Sequence, residues 1–181
     1  VAGIRFKSGL FSNLTQDHLD YHKTMDAYFE AKKLLFTKYL MDDGFAIINI
    51  DDAYGEKLYN GLNVAGFADE PNLMRCVAVS RLGKAKAFVK PEGEVKNTED
   101  GLEFKLPMIA SEKFETPLCG DFNVDNVLLV LAWANAIGVS ELAMRAALAS
   151  VRVPGRFEKV WNKNGKHVIV DYAHTPDALE R

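Results

Sequence analysis

Four stretches of the chain carry residue types that do chemistry. Asn13-Leu14-Thr15-Gln16-Asp17-His18-Leu19-Asp20-Tyr21-His22 crowds carboxylates, imidazoles and carboxamides just after Gly9 to Asn13, a short run apolar enough for a buried strand. In open α/β sheets ligands gather at the carboxyl ends of strands. His18 can there ligate a divalent cation or orient a phosphate, with Asp17 and Asp20 as further ligands or as its partners. The same residues also suit a polar loop that caps the next helix. Lys32 sits among apolar neighbours on that helix. It is either a lysine snorkelling from a half-buried face or a functional amine whose charge its surroundings alter. Lys33 reads as plain surface. Gly120-Asp121-Phe122-Asn123-Val124-Asp125-Asn126 places a glycine turn and two asparagines at a helix N-terminus. Free N–H groups there suit anions, and Asn126 or Asn123 can read an adenine edge with donor and acceptor together. The alternative is Asn123 as a simple N-cap. Asp171-Tyr172-Ala173-His174-Thr175-Pro176 follows a β-branched run, where Asp171 can accept hydrogen bonds from a ribose diol. Thr175 or Asp177 can equally cap the helix that Pro176 opens. Arg156 can face a phosphate or a carboxylate, or form a hinge salt bridge. The chain holds no G-x-x-x-x-G-K-[ST] loop, so it lacks the usual cradle for nucleotide phosphates.

These residues need elements to position them. After the Gly9 to Asn13 strand and a loop to Lys23, Thr24 caps a helix expected over Met25 to Leu40. Phe45 to Ile50 reads as a buried parallel strand closed by Asp51-Asp52. A helix from Ala53 to Tyr59 leads to Gly61. Strand, helix and strand in this order predict a βαβ layout. In the middle, Cys76 to Val79, Ala85 to Val89 and Leu102 to Leu106 are short β runs between turn signals, which predicts a small antiparallel sheet. A helix from the Gly120 turn to Ile137 is apolar on nearly all faces and is expected to be buried. Gly138 ends it, and Ser140 caps a further helix, Glu141 to Ala149. Val153-Pro154-Gly155-Arg156 is the expected boundary. Beyond it Phe157 to Trp161 and His167 to Asp171 read as two strands joined by a turn.

The composition bounds the function. With 181 residues, 48% hydrophobic and 26% charged, the chain is ordinary globular protein rather than disordered. A net charge of −3 argues against a general nucleic-acid partner. The longest apolar run, Val127 to Ala134, is too short for membrane insertion. Two cysteines make no disulfide framework, so a cytoplasmic location is expected. The first residues show no signal-peptide pattern. Val1 opens directly on apolar sequence, and Arg181 falls just as a helix begins, so both ends read as cuts through a longer protein.

The motifs, in this order, resemble the Mur ligases, ATP-dependent amide-forming enzymes of peptidoglycan synthesis. The resemblance is closest to the MurE branch, which adds meso-diaminopimelate or L-lysine as third residue to UDP-N-acetylmuramoyl-L-alanyl-D-glutamate (UDP-MurNAc-L-Ala-D-Glu). It is carried by Asn13-Leu14-Thr15-x-Asp17-His18-Leu19-Asp20-Tyr21-His22, Tyr28-x-x-Ala31-Lys32 with Leu35-Phe36, and Gly120-x-Phe122-Asn123-Val124-x-Asn126. Gly155-Arg156-Phe157-Glu158 and Val170 to Glu180 complete it. Residues from about Asn63 to Thr116 contribute little. One departure is Phe157, where related chains often have Met, another apolar residue.

The resemblance implies an α/β fold: residues 1–152 as a Mur-ligase-type central, ATP-binding domain with a mostly parallel sheet and a small antiparallel subsheet, and residues 153–181 as the first strands of an α/β C-terminal domain. It implies His18 as a magnesium ligand and Lys32 as a carbamylated lysine supporting Mg²⁺, both catalytic. Asn123 and Asn126 would contact the adenine, and Arg156, Asp171 and His174 the rest of the nucleotide. It also implies a monomeric parent enzyme whose partners are the UDP-MurNAc-dipeptide and the incoming amino acid. The family's phosphate loop and its motif for choosing diaminopimelate are not among these residues, so the chain alone is expected to be inactive. Rival readings are another Mur ligase, a folylpolyglutamate-synthase-like ligase, or a non-catalytic nucleotide-binding module.

Overall fold

The computed structural model describes residues 3–16, 19–64, 75–156, 158–164 and 166–173. Its centre is a three-stranded parallel sheet in the order β1 (Phe6–Phe11), β2 (Leu40–Asn49), β3 (Arg75–Val79). Leu10 pairs with Ile47, and Ile47 with Val77. β2 is the middle strand, and Ala46, Ile47 and Ile48 are wholly buried, as a parallel strand covered on both faces must be. Its side chains alternate between two cores. Phe45 and Ile47 join the core built with α4 (Asp121–Ala136). Ala46, Ile48 and Ile50 join the core built with α2 (Met25–Leu34) and α3 (Ala53–Val64). The short α1 (Leu19–His22) precedes α2.

The expected α/β architecture, a parallel sheet with an antiparallel companion, is present. Several boundaries differ. The helix expected to reach Leu40 is α-helical only to Leu34, followed by a π-helical turn over Leu35–Tyr39 that buries Phe36. Thr24 does cap it, its Oγ1 accepting the Ala27 N–H at 3.1 Å. The antiparallel sheet consists of β4 (Glu92–Thr98), β5 (Gly101–Lys105) and β6 (Phe114–Thr116). Cys76 to Val79 therefore belongs to the parallel sheet, not to this one. Ala85 to Val89 is not a strand. It folds as turns pinned by Lys84, whose carbonyl accepts the Ala87 N–H, and meets β3 at an isolated Val79–Val89 bridge, with the Phe88 and Val89 N–H groups donating to the Ala78 carbonyl. β4 escaped notice because Val95 alone of its side chains is partly buried. Cross-strand charge holds it instead: Lys96 lies 2.8 Å from Glu103, which Lys113 also approaches to 2.7 Å.

α4 is buried on most of its surface, as its apolar sequence requires. Its cap residue is Gly120, at φ +90°, and not Asn123, which lies inside the first turn. Gly138 (φ +83°) closes it, and Ser140 caps α5 (Glu141–Ser150) through the Ala143 N–H at 3.3 Å. A linker then leads to the hairpin of β7 (Glu158–Lys163) and β8 (Lys166–Val170).

The loops leaving all three parallel strands interlock at their carboxyl ends. Asp52 accepts the Gly55 N–H at 2.9 Å in the manner of an N-cap for α3, and the Leu14 N–H of the β1 loop at 3.3 Å. Asp51 accepts the Ser80 hydroxyl at 2.6 Å and the Leu82 N–H at 3.0 Å. Lys84 donates to the Ile50 carbonyl at 2.6 Å and to Glu56 at 2.9 Å. Gly55 has no room for a side chain: a Cβ there would stand 1.9 Å from the Asn49 carbonyl oxygen.

Two predictions arise from these contacts. Asp52→Ala removes a helix cap and an acceptor for the Leu14 amide, and should lower stability by about 1–2 kcal/mol, read as a lower urea midpoint at unchanged m-value. The lysines hold the Glu103 carboxyl down at about 2, against 4.5 for the free side chain. A depressed carboxyl contributes stability that is present above its unfolded pKa and is lost as pH falls through the folded one. Melting temperature should therefore fall on acidification from about pH 4.5 to 2, and Glu103→Gln should flatten that slope while leaving other acid-sensitive groups in place.

Candidate functional site

A cavity of about 630 Å³ opens where the β1 loop, the start of α4, the linker and the end of β8 converge. Phe122, Val127 and Val130 make an apolar wall from α4, continued by Leu148 and Val151 from the end of α5. Polar groups sit around the rim: Asn13 and Thr15 from the β1 loop, Asn126 from the second turn of α4, Arg156 from the linker and Asp171 just past β8. An apolar slot with a few convergent polar groups is the usual form of a small-molecule site.

The sequence-predicted residues divide between this cavity and a neighbour. Asn123, Asn126, Arg156 and Asp171 all line the large cavity, although they are distant in sequence. Asn126 is exposed to it. Asn123 is buried, and its Nδ2 donates to the Cys119 carbonyl at 2.7 Å, so the side chain braces the turn that starts α4. The Arg156 guanidinium lies over the Tyr172 ring at 5.2 Å, a contact that fixes its plane. Asp171 turns one carboxylate oxygen back on the Ala173 N–H at 2.7 Å.

Lys32 stands elsewhere. It lines a smaller cavity of about 300 Å³ with Ser12, Asn13, Thr15 and Tyr28. Its ammonium lies 5.2 Å from the Tyr28 ring centre, and His22 stacks on the same ring at 4.7 Å. His22 is thus a packing histidine of the helix start. Asn13 and Thr15 line both cavities, so the β1 loop is a shared wall. His18 and His174, with Asp17, Thr175 and Asp177, lie outside the described residues. Among the described residues no three His, Cys, Asp or Glu side chains group as a metal site, and no helix is long and apolar enough to cross a membrane.

The charges nearby have identifiable causes. Burial raises the Asp125 carboxyl pKa, against the pull of Arg81, whose Nε lies 3.2 Å away. Arg81 also reaches Asp121 at 3.0 Å, so it clamps the first turn of α4 from the β3 side. Burial pushes the Cys76 thiol up to about 12, which leaves it unreactive as a nucleophile. Sequence reasoning missed the roles of Asp51, Asp52 and Ser80. A usable signal was present, since paired aspartates after an apolar run mark a strand end whose loop and helix start need acceptors.

Comparison with known proteins places this geometry in a family. Residues 1–134 match the Mur ligase middle domain. The UDP-N-acetylmuramoyl-L-alanyl-D-glutamate--2,6-diaminopimelate ligase of Geobacter metallireducens is 40% identical over 191 residues, which cover 99% of this chain and 34% of that enzyme. A solved structure of a ligase of that name is 31% identical with a TM-score of 0.71, over 96% of this chain and 34% of that one. MurF from Acinetobacter baumannii, at 20% identity and a TM-score of 0.76, covers 96% of this chain and 36% of its own, and shares the fold alone. The chain spans about a third (34%) of the length of the relatives it matches. A family match over residues 1–134 and relatives similar along nearly the whole chain show that the chain belongs to the Mur ligase family.

Proposed function

We propose that this chain is the ATP-binding centre of a cytoplasmic ligase that adds a third residue, meso-diaminopimelate or L-lysine, to UDP-MurNAc-L-Ala-D-Glu. In this reading residues 1–152 are the central domain and residues 153–181 begin the next one. The observation that carries it is the shared wall: Asn13 and Thr15 line both the apolar cavity with its polar rim and the cavity that holds Lys32. A phosphoryl group passing from ATP to a carboxylate needs the two sites side by side.

The residues divide the work accordingly. The apolar wall of Phe122, Val127 and Val130 takes a purine face, and Asn126 reads the adenine edge with its donor and acceptor. Asn123 keeps the turn in shape. Asp171 accepts from the ribose hydroxyls, and Arg156, with His174, faces phosphate oxygens. Lys32 as a carbamate offers two oxygens beside the Ser12, Asn13 and Thr15 oxygens, a donor set that fits a hard cation. With His18 it would hold Mg²⁺, which supplies positive charge to the transferring phosphoryl group. The D-glutamyl carboxylate attacks the terminal phosphorus of ATP and ADP leaves. The amine of the incoming amino acid then attacks the acyl phosphate, and the tetrahedral adduct expels phosphate to form the amide. Closure of the flanking domain over the cavity keeps water from that acyl phosphate.

The test is phosphate release by the full-length protein. It should require ATP, Mg²⁺, UDP-MurNAc-L-Ala-D-Glu and one amino acid together. Absence of release with every amino acid supplied would refute the reading. Asp171→Ala should raise the KM for ATP about tenfold or more, as the loss of a charge-assisted contact demands. Lys32→Arg should lower kcat at least about a hundredfold, because a permanent cation cannot become a carbamate. Retained activity in Lys32→Arg would show that Lys32 acts as a cation instead. The 181-residue chain by itself, without a phosphate loop, should release no phosphate.

A further inference from the structure

The β4–β5 hairpin takes no part in the proposed chemistry, yet its tip contacts residues that adjoin both walls of the larger cavity. On one side it grips the turn that starts α4. The Asn97 Oδ1 accepts the Gly120 N–H at 3.0 Å, and its Nδ2 donates to the Asp121 carboxylate at 2.8 Å. Two residues on, the Glu99 carbonyl accepts the Cys119 thiol at 3.3 Å. Three consecutive residues of the turn are thus held by two residues of the hairpin. That turn tolerates little change. Gly120 sits at φ +90°, and a Cβ there would meet the Phe122 ring at 2.6 Å. Phe122 and Asn126 follow directly and line the cavity.

On the other side the Glu99 carboxylate reaches the His167 Nε2 on β8 at 3.3 Å. His167 is mostly enclosed, and its Nδ1 has no hydrogen-bond partner among the described residues. β8 ends at Val170, and Asp171 and Ala173 beyond it form the wall facing α4. The hairpin tip itself is closed by Thr98, which donates to the Gly101 carbonyl at 3.3 Å and accepts the Asp100 N–H at 3.3 Å.

We propose that Asn97 and Glu99 are positioning residues of the nucleotide cavity, because one hairpin tip hydrogen-bonds the α4 turn on one wall and contacts His167 behind the other. The antiparallel sheet then sets the spacing between Asn126 and Asp171. This rests on the reading that the cavity takes ATP.

The experiment uses the full-length protein and three variants, Asn97→Ala, Glu99→Ala and Glu99→Gln. Binding of a non-hydrolysable ATP analogue with Mg²⁺ is measured by calorimetry, beside binding of UDP-MurNAc-L-Ala-D-Glu, melting temperature and amide exchange. Asn97→Ala should weaken the ATP analogue about tenfold and leave the UDP substrate within about twofold. The Gly120 amide should exchange faster while the interior of α4 stays protected. Glu99→Ala should weaken the analogue about threefold, and Glu99→Gln should restore it, since an amide oxygen still accepts from His167. Unchanged nucleotide binding in Asn97→Ala overturns the inference, as does equal loss of both ligands with a collapsed melting temperature. Failure of the unaltered protein to bind the analogue sinks the functional reading instead, and the inference with it.

Discussion

Parallel strands that end at one edge leave three loops there, each with backbone groups that need partners. Buried N–H groups left unpaired cost more than any single side-chain contact returns. Asp51 and Asp52 resolve this constraint. One carboxylate joins the β2 and β3 loops through Ser80 and Leu82, and the other joins the β1 loop to the start of α3. Every candidate functional residue of the β1 loop depends on that arrangement. Asn13 and Thr15 flank Leu14, whose amide is the one that Asp52 holds. The wall between the two cavities is therefore fixed from below by a carboxylate that lines neither.

The second support is α4. A helix buried on most faces cannot slide without opening the core, because interiors pack near crystal density. Leu128 and Leu131 are almost wholly buried between the sheets. Its N-terminal turn is consequently fixed in position, while its rotation there is set by side-chain clamps. Arg81 supplies one from the parallel sheet and Asn97 another from the antiparallel sheet. The two sheets share no strand, and they meet through this helix. An element with a low polar content thus orients the polar groups of the site.

How much of this could be read from the sequence follows physical lines. β2 and α4 were legible because burial on both sides leaves unbroken apolar runs, and Thr24, Ser140 and Gly138 were legible because caps have local chemistry. β4 was not, since a strand exposed at every position but Val95 carries no apolar alternation. Lys96 and Glu103 sit opposite each other in its pairing with β5. Ala85 to Val89 has β-type residues but ends as turns, because Lys84 is drawn away to the Ile50 carbonyl and Glu56. In the site, the family resemblance named Asn126, Arg156 and Asp171, which line one cavity, whereas residue type alone left a cap or a hinge salt bridge equally open. Asn123 lines the same cavity, yet its amide is spent on Cys119. Such tertiary pairings have no sequence spacing to reveal them.

The division into two cavities has an electrostatic consequence. Arg156 is a permanent cation that lines the large cavity, as does Asp171. Lys32 is an amine in the small one, lying over an aromatic ring rather than beside a carboxylate among the described contacts. Once carbamylated, it would change the small cavity from positive to negative. A polyphosphate would be repelled there unless a divalent cation intervened, since like charges at close range inside a protein cost several kcal/mol, about 4 at an effective dielectric of 20 and 4 Å. Under the proposed function, cation dependence then follows from the lysine's chemistry and its place behind the shared wall. The apolar α4 wall needs no such cation, so the nucleoside half of the ligand would be held by shape and hydrogen bonds alone.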